Sequence, residues 1–150
     1  MENDRKPVVI LIAEDDEDDY LLISDTLRDY RVANAIEWVK DGEELMDYLL
    51  HRGAYEGKEA KPSPRPSVIL LDLNMPRKDG REALQEIKSH PQLRRIPVVI
   101  LTTSQSDEDI VRSYDLGVNS YIRKPMRFQD FVEEVKTLGR YWFEIVELPS

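Results

Sequence analysis

Four short stretches of this sequence carry side chains that suit chemistry on a shared centre. Six consecutive acids, Glu14 to Asp19, follow directly on an apolar run. A single aspartate, Asp72, closes a second apolar run and leads into Leu73-Asn74-Met75-Pro76. Two hydroxyls, Thr102 and Thr103, close a third, and Lys124-Pro125 follows a weaker fourth. Each has an ordinary explanation alone. Acids at a helix start are favoured by about 0.3–1 kcal/mol each, which accounts for Asp16 to Asp19 better than for Glu14 and Asp15. A lone Asp or Thr after a strand commonly caps a helix, and loop lysines are usually solvated. An EF-hand is excluded, because Tyr20 stands where that loop needs glycine. Taken together, the groups are complementary. Two carboxylates ~4 Å apart repel by about 4 kcal/mol at an effective dielectric near 20, so a cluster either shifts a pKa or binds a cation. All-oxygen ligation by few carboxylates suits Mg²⁺. An aspartate can also act as a nucleophile and form an aspartyl phosphate. With a hydroxyl donor and a fixed ammonium nearby, the set matches phosphoryl transfer.

For these groups to meet, the ends of the apolar runs must lie along one edge. Val8–Ala13 (β1), Val68–Leu71 (β3) and residues 97–101 (β4) are continuous β-branched runs, as expected of strands buried on both faces. Residues 35–39 (β2) and 118–122 (β5) read as weaker strands. Helical spacings lie between them: Tyr20, Ile23 and Leu27 (α1), Leu45, Met46 and Leu49 (α2), Ala83, Leu84 and Ile87 (α3), Ile110, Val111 and Tyr114 (α4). Phe128, Phe131, Val135, Leu138, Trp142 and Ile145 (α5) follow in alternate steps of three and four. Asp41 with Glu44 predicts a capping box at the start of α2. Residues 52–67 read as a long polar loop. Strict alternation predicts an α/β fold, a parallel sheet with helices on both faces. Its functional crevice lies at the carboxyl ends of the strands, where all four chemical groups fall.

Composition narrows the class. The 150 residues fit one domain over 1–150, with a core of about 8–138 and an extension over 139–150. The net charge of −9 and pI near 4.8 argue against nucleic-acid binding, which needs a basic face. The absence of cysteine excludes disulfides, thiolate zinc sites and a cysteine nucleophile. The first apolar run is far shorter than the ~20 residues of a membrane helix. Nothing before it resembles a signal peptide, so the expectation is a soluble, cytoplasmic protein with no membrane partner. His51 and His90 are too far apart in sequence to suggest a metal pair.

The motifs Ile12-Ala13-Glu14-Asp15-Asp16, Leu70-Leu71-Asp72-Leu73-Asn74-Met75-Pro76-Arg77-Lys78-Asp79-Gly80, Pro97-Val98-Val99-Ile100-Leu101-Thr102-Thr103 and Tyr121-Ile122-Arg123-Lys124-Pro125 occur in order at the proper strand ends. Together they resemble response-regulator receiver domains of the CheY type, over about residues 8–138. The resemblance implies a doubly wound, flavodoxin-like five-stranded sheet of order 2-1-3-4-5. It implies that Asp72 accepts a phosphoryl group from a histidine kinase. Asp15, Asp72 and the backbone carbonyl of Asn74 would hold Mg²⁺, with Glu14 acting through water. Thr102 and Lys124 would contact the phosphoryl oxygens, and Tyr121, with Thr102, would be the switch that reports the state at the α4-β5-α5 face. The Lys124–Pro125 bond would be cis, which X-Pro chemistry permits. Such a protein is a phosphoacceptor that assists its own phosphorylation and dephosphorylation, not an enzyme in the ordinary sense. Glu14 replaces the more frequent Asp of the acidic pair. Thr103 stands where a smaller residue is common and would slow access to the phosphoryl group.

The long α2–β3 loop, Asp79-Gly80-Arg81-Glu82 and the ending Tyr141 to Pro149 are similar to small regulators paired with cyanobacterial and bacterial phytochromes, which implies a phytochrome-type kinase. With the sequence ending at Ser150, no DNA-binding output domain is expected, and the downstream protein target is unspecified. The aromatic and aliphatic residues beyond Leu138 predict a twofold homodimer through α4-β5-α5 and the C-terminal tail. Two other readings compete. A Mg²⁺-dependent phosphohydrolase with an Asp nucleophile needs a second Asp where Asn74 stands. A phosphorylation-independent, receiver-like binding module usually lacks one of the site residues. Flavin or nucleotide binding is weaker, because no Gly-rich loop follows β1.

Overall fold

The computed structural model describes residues 8–28 and 33–140. Its elements are β1 (Val8–Ala13), α1 (Glu17–Arg28), β2 (Ala33–Val39), α2 (Gly42–Leu50), β3 (Val68–Leu71), α3 (Gly80–Ser89), β4 (Val98–Thr102), α4 (Asp107–Leu116), β5 (Ser120–Arg123) and α5 (Phe128–Arg140). A 3₁₀ turn at Gly53–Tyr55 interrupts the long loop before β3. The five strands are parallel and lie in the order β2-β1-β3-β4-β5.

The continuous apolar runs are explained by the two-sided burial of the sheet. Alternate strand residues point to opposite faces. Leu11, Ala13, Ile69, Leu71, Val98 and Ile100 pack with Leu45, Met46 and Leu49 of α2 and Ala83, Leu84 and Ile87 of α3. Ile10, Ile12, Val68, Leu70, Val99 and Leu101 pack with Ile23 and Leu27 of α1 and Phe131, Val135 and Leu138 of α5. Each fully buried aliphatic side chain contributes about 1.5–3 kcal/mol. A polar residue in these runs would face one core or the other, so polarity begins where the strands stop.

Local chemistry sets the element ends. The Asp41 carboxylate accepts the Glu44 N–H at 2.8 Å and caps α2. Glu44 reaches back to the Lys40 N–H at 2.9 Å, one residue before the cap, rather than to Asp41 itself. The long loop is tied down by Tyr48, whose hydroxyl donates to the Pro64 carbonyl at 2.7 Å, and by Ser67 Oγ, which accepts the Val9 N–H at 3.1 Å.

The apolar patterns of β2 and α4 are met only in part. β2 begins two residues earlier than its apolar pattern, because Ala33 and Ala35 pair with Val8 and Val9 of β1. Phe131 is buried, whereas Phe128, the first residue of the α5 series, is 68% exposed. It opens α5, and side chains in a helix lean toward the preceding turn, which is absent there. On α4, Val111 and Tyr114 are exposed and only Ser113 is buried. Trp142 and Ile145, the last members of the α5 series, lie outside the described residues. No described helix is long and apolar enough to cross a membrane.

Candidate functional site

The carboxyl ends of β1, β3, β4 and β5 form one rim. At β1, the Glu14 N–H continues the sheet onto the Val39 carbonyl at 3.0 Å. The Glu14 carbonyl accepts the indole N–H of Trp38 at 2.7 Å. Trp38 in turn stacks on Tyr20, centroids 4.1 Å apart and planes 3° from parallel. Glu14 is thus fixed by its backbone, and its side chain is buried, 2% exposed. Asp15 remains exposed. Asp16 caps α1 by accepting the Asp19 N–H at 3.0 Å, so the capping explanation holds for Asp16.

At β3, the Asp72 N–H bonds to the Ala13 carbonyl at 3.1 Å, placing its side chain beside Glu14 and Asp15. The chain then loops and returns, with the Gly80 N–H on the Leu73 carbonyl at 3.0 Å. The return is close: a Cβ on Gly80 would lie 2.2 Å from the Asp72 carbonyl oxygen. Only glycine permits α3 to start so near the acceptor strand.

Two side chains and one backbone N–H converge on the Asp72 carboxylate. Its Oδ1 accepts the Thr102 hydroxyl at 2.7 Å and the Asn74 N–H at 2.9 Å. Its Oδ2 faces Lys124 Nζ at 3.0 Å. The same ammonium bonds Glu14 and, at 2.8 Å, Asp19. Carboxylate oxygens of Glu14, Asp15 and Asp72 lie within 4.8 Å of one another. One ammonium thus faces several carboxylates, and the shortfall in positive charge is what a divalent cation would supply. Oxygen-only donors, one of them solvent-exposed, fit a hard cation that keeps some of its water.

The electrostatics follow from burial. Desolvation pushes the Glu14 carboxyl up to about 8, against the pull of Lys124 and with a further rise from Asp72. Burial also works against the Lys124 ammonium, but Glu14, Asp72 and Asp19 outweigh it and hold its pKa above the ordinary lysine value. The lysine is the firmly charged member of the cluster.

Two expectations need comment. The Lys124–Pro125 bond is trans, not cis: no peptide bond among the described residues is cis. Trans is the lower-energy X-Pro isomer by about 0.5–1 kcal/mol, and Lys124 reaches all three carboxylates without isomerising. Tyr121 lies apart from the cluster, half-buried, its hydroxyl donating to the Ser104 carbonyl at 3.1 Å. Thr103 is exposed, and its hydroxyl accepts the Asn74 side-chain amide at 3.3 Å.

Sequence reasoning missed Asp19, Trp38, Ser104, Arg81 and Asp109. Asp19 was hidden among capping acids. Its place in the first turn of α1, just after the end of β1, was the available signal. Arg81 and Asp109 form a two-pronged pair at 2.7 and 2.6 Å between α3 and α4, with no local sequence signature.

Comparison with known proteins agrees with this fold. A family model for the response regulator receiver domain matches residues 10–136. Response regulator Rcp1 of Synechocystis sp. is 43% identical over 144 residues, 96% of this chain and 95% of that protein. The probable methanogenesis regulatory protein FilR2 of Methanothrix harundinacea is 42% identical over 91% of this chain and 84% of its own length. The crystal structure of the Mn²⁺-bound form of Rcp1 superposes with a TM-score of 0.90, covering 96% of this chain and all of the other. That of the phosphorylated cyanobacterial phytochrome response regulator RcpA gives 0.86 at 43% identity, over 97% of this chain and 100% of that one.

Proposed function

This chain belongs to the response-regulator receiver family, the phosphoryl-accepting proteins of two-component signalling, and from that premise we propose that Asp72 is its acceptor. The observation that carries the proposal is the convergence of Thr102, Asn74 and Lys124 on the Asp72 carboxylate. An Asp72 oxygen attacks the phosphorus of a phosphohistidine on the kinase. The new O–P bond forms as the P–N bond breaks, and the imidazole leaves with a proton from solvent. Lys124 and Thr102 then turn from the carboxylate to the phosphoryl oxygens, charge-assisted donors already within reach.

The divalent ion of this site is Mg²⁺. Asp15, Asp72 and the Asn74 carbonyl would hold it, Glu14 through water, and when bound it would neutralise charge on the transferring oxygens. Hydrolysis of the aspartyl phosphate by the same residues resets the protein. The donor is a histidine kinase of the phytochrome type, a pairing supported by the 43% identity to the cyanobacterial phytochrome response regulator RcpA. The working unit is one receiver domain over 1–150, acting in the cytoplasm. It acts as a twofold homodimer through α4, β5, α5 and the C-terminal tail, supported by the exposed Val111 and Tyr114 of α4. Sedimentation of the intact protein and of a chain truncated after Leu138 tests that assembly, and a monomeric intact protein at tens of micromolar rejects it.

The phosphohydrolase reading finds no support here. Asn74 stands where that chemistry needs an acid, and its amide is engaged with Thr102 and Thr103. The acceptor reading is tested by treating the protein with a small phosphodonor and Mg²⁺ and mapping the adduct by mass. One phosphoryl group on the peptide containing Asp72 is expected, and a modification that survives Asp72→Asn sinks the assignment.

A further inference from the structure

Arg81 is the second residue of α3, and Asp109 is the third of α4. Neither contacts the acceptor or belongs to the proposed ion site. Partly exposed ion pairs of this kind contribute little to stability in most proteins. If the pair only fastened two helices, nothing more would follow. Both of its ends continue, however. From Arg81, Nη2 also donates to Asn74 Oδ1 at 3.3 Å, and the Asn74 N–H is on Asp72 Oδ1 at 2.9 Å. From Asp109, Oδ2 accepts the Ser104 hydroxyl at 2.6 Å. The Ser104 N–H reaches Thr102 Oγ1 at 3.4 Å, and the Thr102 hydroxyl donates to the same Asp72 oxygen at 2.7 Å. The hydrogen bonds close a ring: Asp72, Thr102, Ser104, Asp109, Arg81, Asn74 and back to Asp72. Ser104 also passes the contact outward, since its carbonyl holds the Tyr121 hydroxyl.

We infer that Arg81 is a positioning residue that ties the first turn of α4 to the occupancy of Asp72. The inference rests on Asp72 being the acceptor. Any group added to that carboxylate competes for the donors on Oδ1, the Thr102 hydroxyl and the Asn74 N–H. Turning either donor moves one arm of the ring; the arms touch near the acceptor, where the Asn74 side-chain amide reaches Thr102 Oγ1 at 3.5 Å, and they join again at the helix starts through Arg81 and Asp109. The planar guanidinium spans the Asp109 carboxylate and the Asn74 amide at once, whereas a lysine ammonium presents a point charge and no fork. The ring therefore depends on the shape of the arginine and not on its charge alone.

Beryllofluoride with Mg²⁺, a stable mimic of a phosphoryl group on a carboxylate, supplies the test. Amide hydrogen exchange over residues 104–114 is compared between free and loaded protein, and loading is measured separately from bound fluorine by NMR. The wild-type protein is expected to change protection in this segment on loading. Arg81→Lys, Arg81→Ala and Asp109→Asn are each expected to lose most of that change per loaded molecule, and the double variant no more than either single one. A wild-type response retained in Arg81→Lys, or no wild-type response over 104–114, overturns the inference. Should Arg81→Ala fail to fold, Arg81→Lys carries the test. Failure of the acceptor reading is separately visible: the wild-type protein then takes up no beryllofluoride, or Asp72→Asn takes it up equally well, and the inference falls with it.

Discussion

Lys124 Nζ lies 3.0 Å from Asp72 Oδ2, so the acceptor carboxylate is ion-paired before any phosphoryl group arrives. The lysine is itself buried, 6% exposed, and also bonds the buried Glu14 carboxyl. Its role in the fold is therefore larger than the sequence suggests. Removing one partner of a buried ion cluster leaves the others uncompensated, at a cost of up to about 3–5 kcal/mol. Lys124→Ala should lower stability toward urea in the absence of divalent ions. Millimolar Mg²⁺ should recover part of the loss, because an ion bound only by the folded state stabilises it by mass action. A loss of stability that Mg²⁺ leaves unchanged would count against the ion site.

Asp15 differs from Glu14 and Asp72, which both pair with the buried Lys124, in lying exposed and outside that ion cluster. It is free to act as a ligand without giving up an ion pair. Asp15→Ala should weaken Mg²⁺ binding by more than about tenfold, since even residues behind the ligands of a metal site are worth 10- to 100-fold. Stability without the ion should stay equal or rise, because a repelling carboxylate has gone. Calorimetric titration with Mg²⁺ and urea unfolding check the two halves independently.

Gly80 gives a steric prediction. Its replacement by alanine places a methyl group 2.2 Å from the Asp72 carbonyl oxygen and 2.7 Å from Leu73 Cα. Both obstacles are backbone, so α3 or the end of β3 must move. Overpacking of this kind costs about 1–3 kcal/mol. Gly80→Ala should fall in that range by urea unfolding and should also reduce phosphoryl acceptance. A variant that keeps both properties would show that the helix start is looser than this contact implies.

The Asp109 carboxyl is held below the ordinary aspartate value of 3.8, chiefly by the hydrogen bonds from Arg81; burial opposes the shift and Ser104 adds to it. A carboxyl depressed in the folded state contributes stability that is present above its unfolded pKa. That stability is lost as pH falls through the folded value. The gap in unfolding free energy between the wild-type protein and Asp109→Asn should therefore be constant near neutrality and shrink as the pH drops below about 4. A gap independent of pH down to full acid unfolding would remove the carboxylate from the account.

The legible and hidden parts of this protein divide by the range of the interactions involved. Glu14, Asp15, Asp72, Thr102 and Lys124 could be found because each stands at or just beyond the end of a strand, where an apolar run meets the rim. The sheet did the work of assembly, and parallel order put all its carboxyl ends together. Arg81 with Asp109, and Lys124 with Asp19, could not be found this way. The first pair joins two helix starts and the second joins a helix start to the end of β5, each far apart in sequence and involving helix turns where charged residues are the rule. The exposure of Val111 and Tyr114 was hidden for a similar reason: spacing gives the face of a helix but not how much of it is covered. The cis form expected of Lys124–Pro125 came from family likeness alone, and nothing in the local sequence required it.

The indole of Trp38 is clamped between Tyr20 and the carbonyl of Glu14, one peptide unit from the candidate ion ligands. The sequence holds only one other tryptophan, Trp142. Indole emission depends on stacking and on the field along its N–H bond. The protein thus contains a chromophore at the edge of its own site, and a single Trp142→Phe substitution makes its emission a label-free optical readout of ion occupancy.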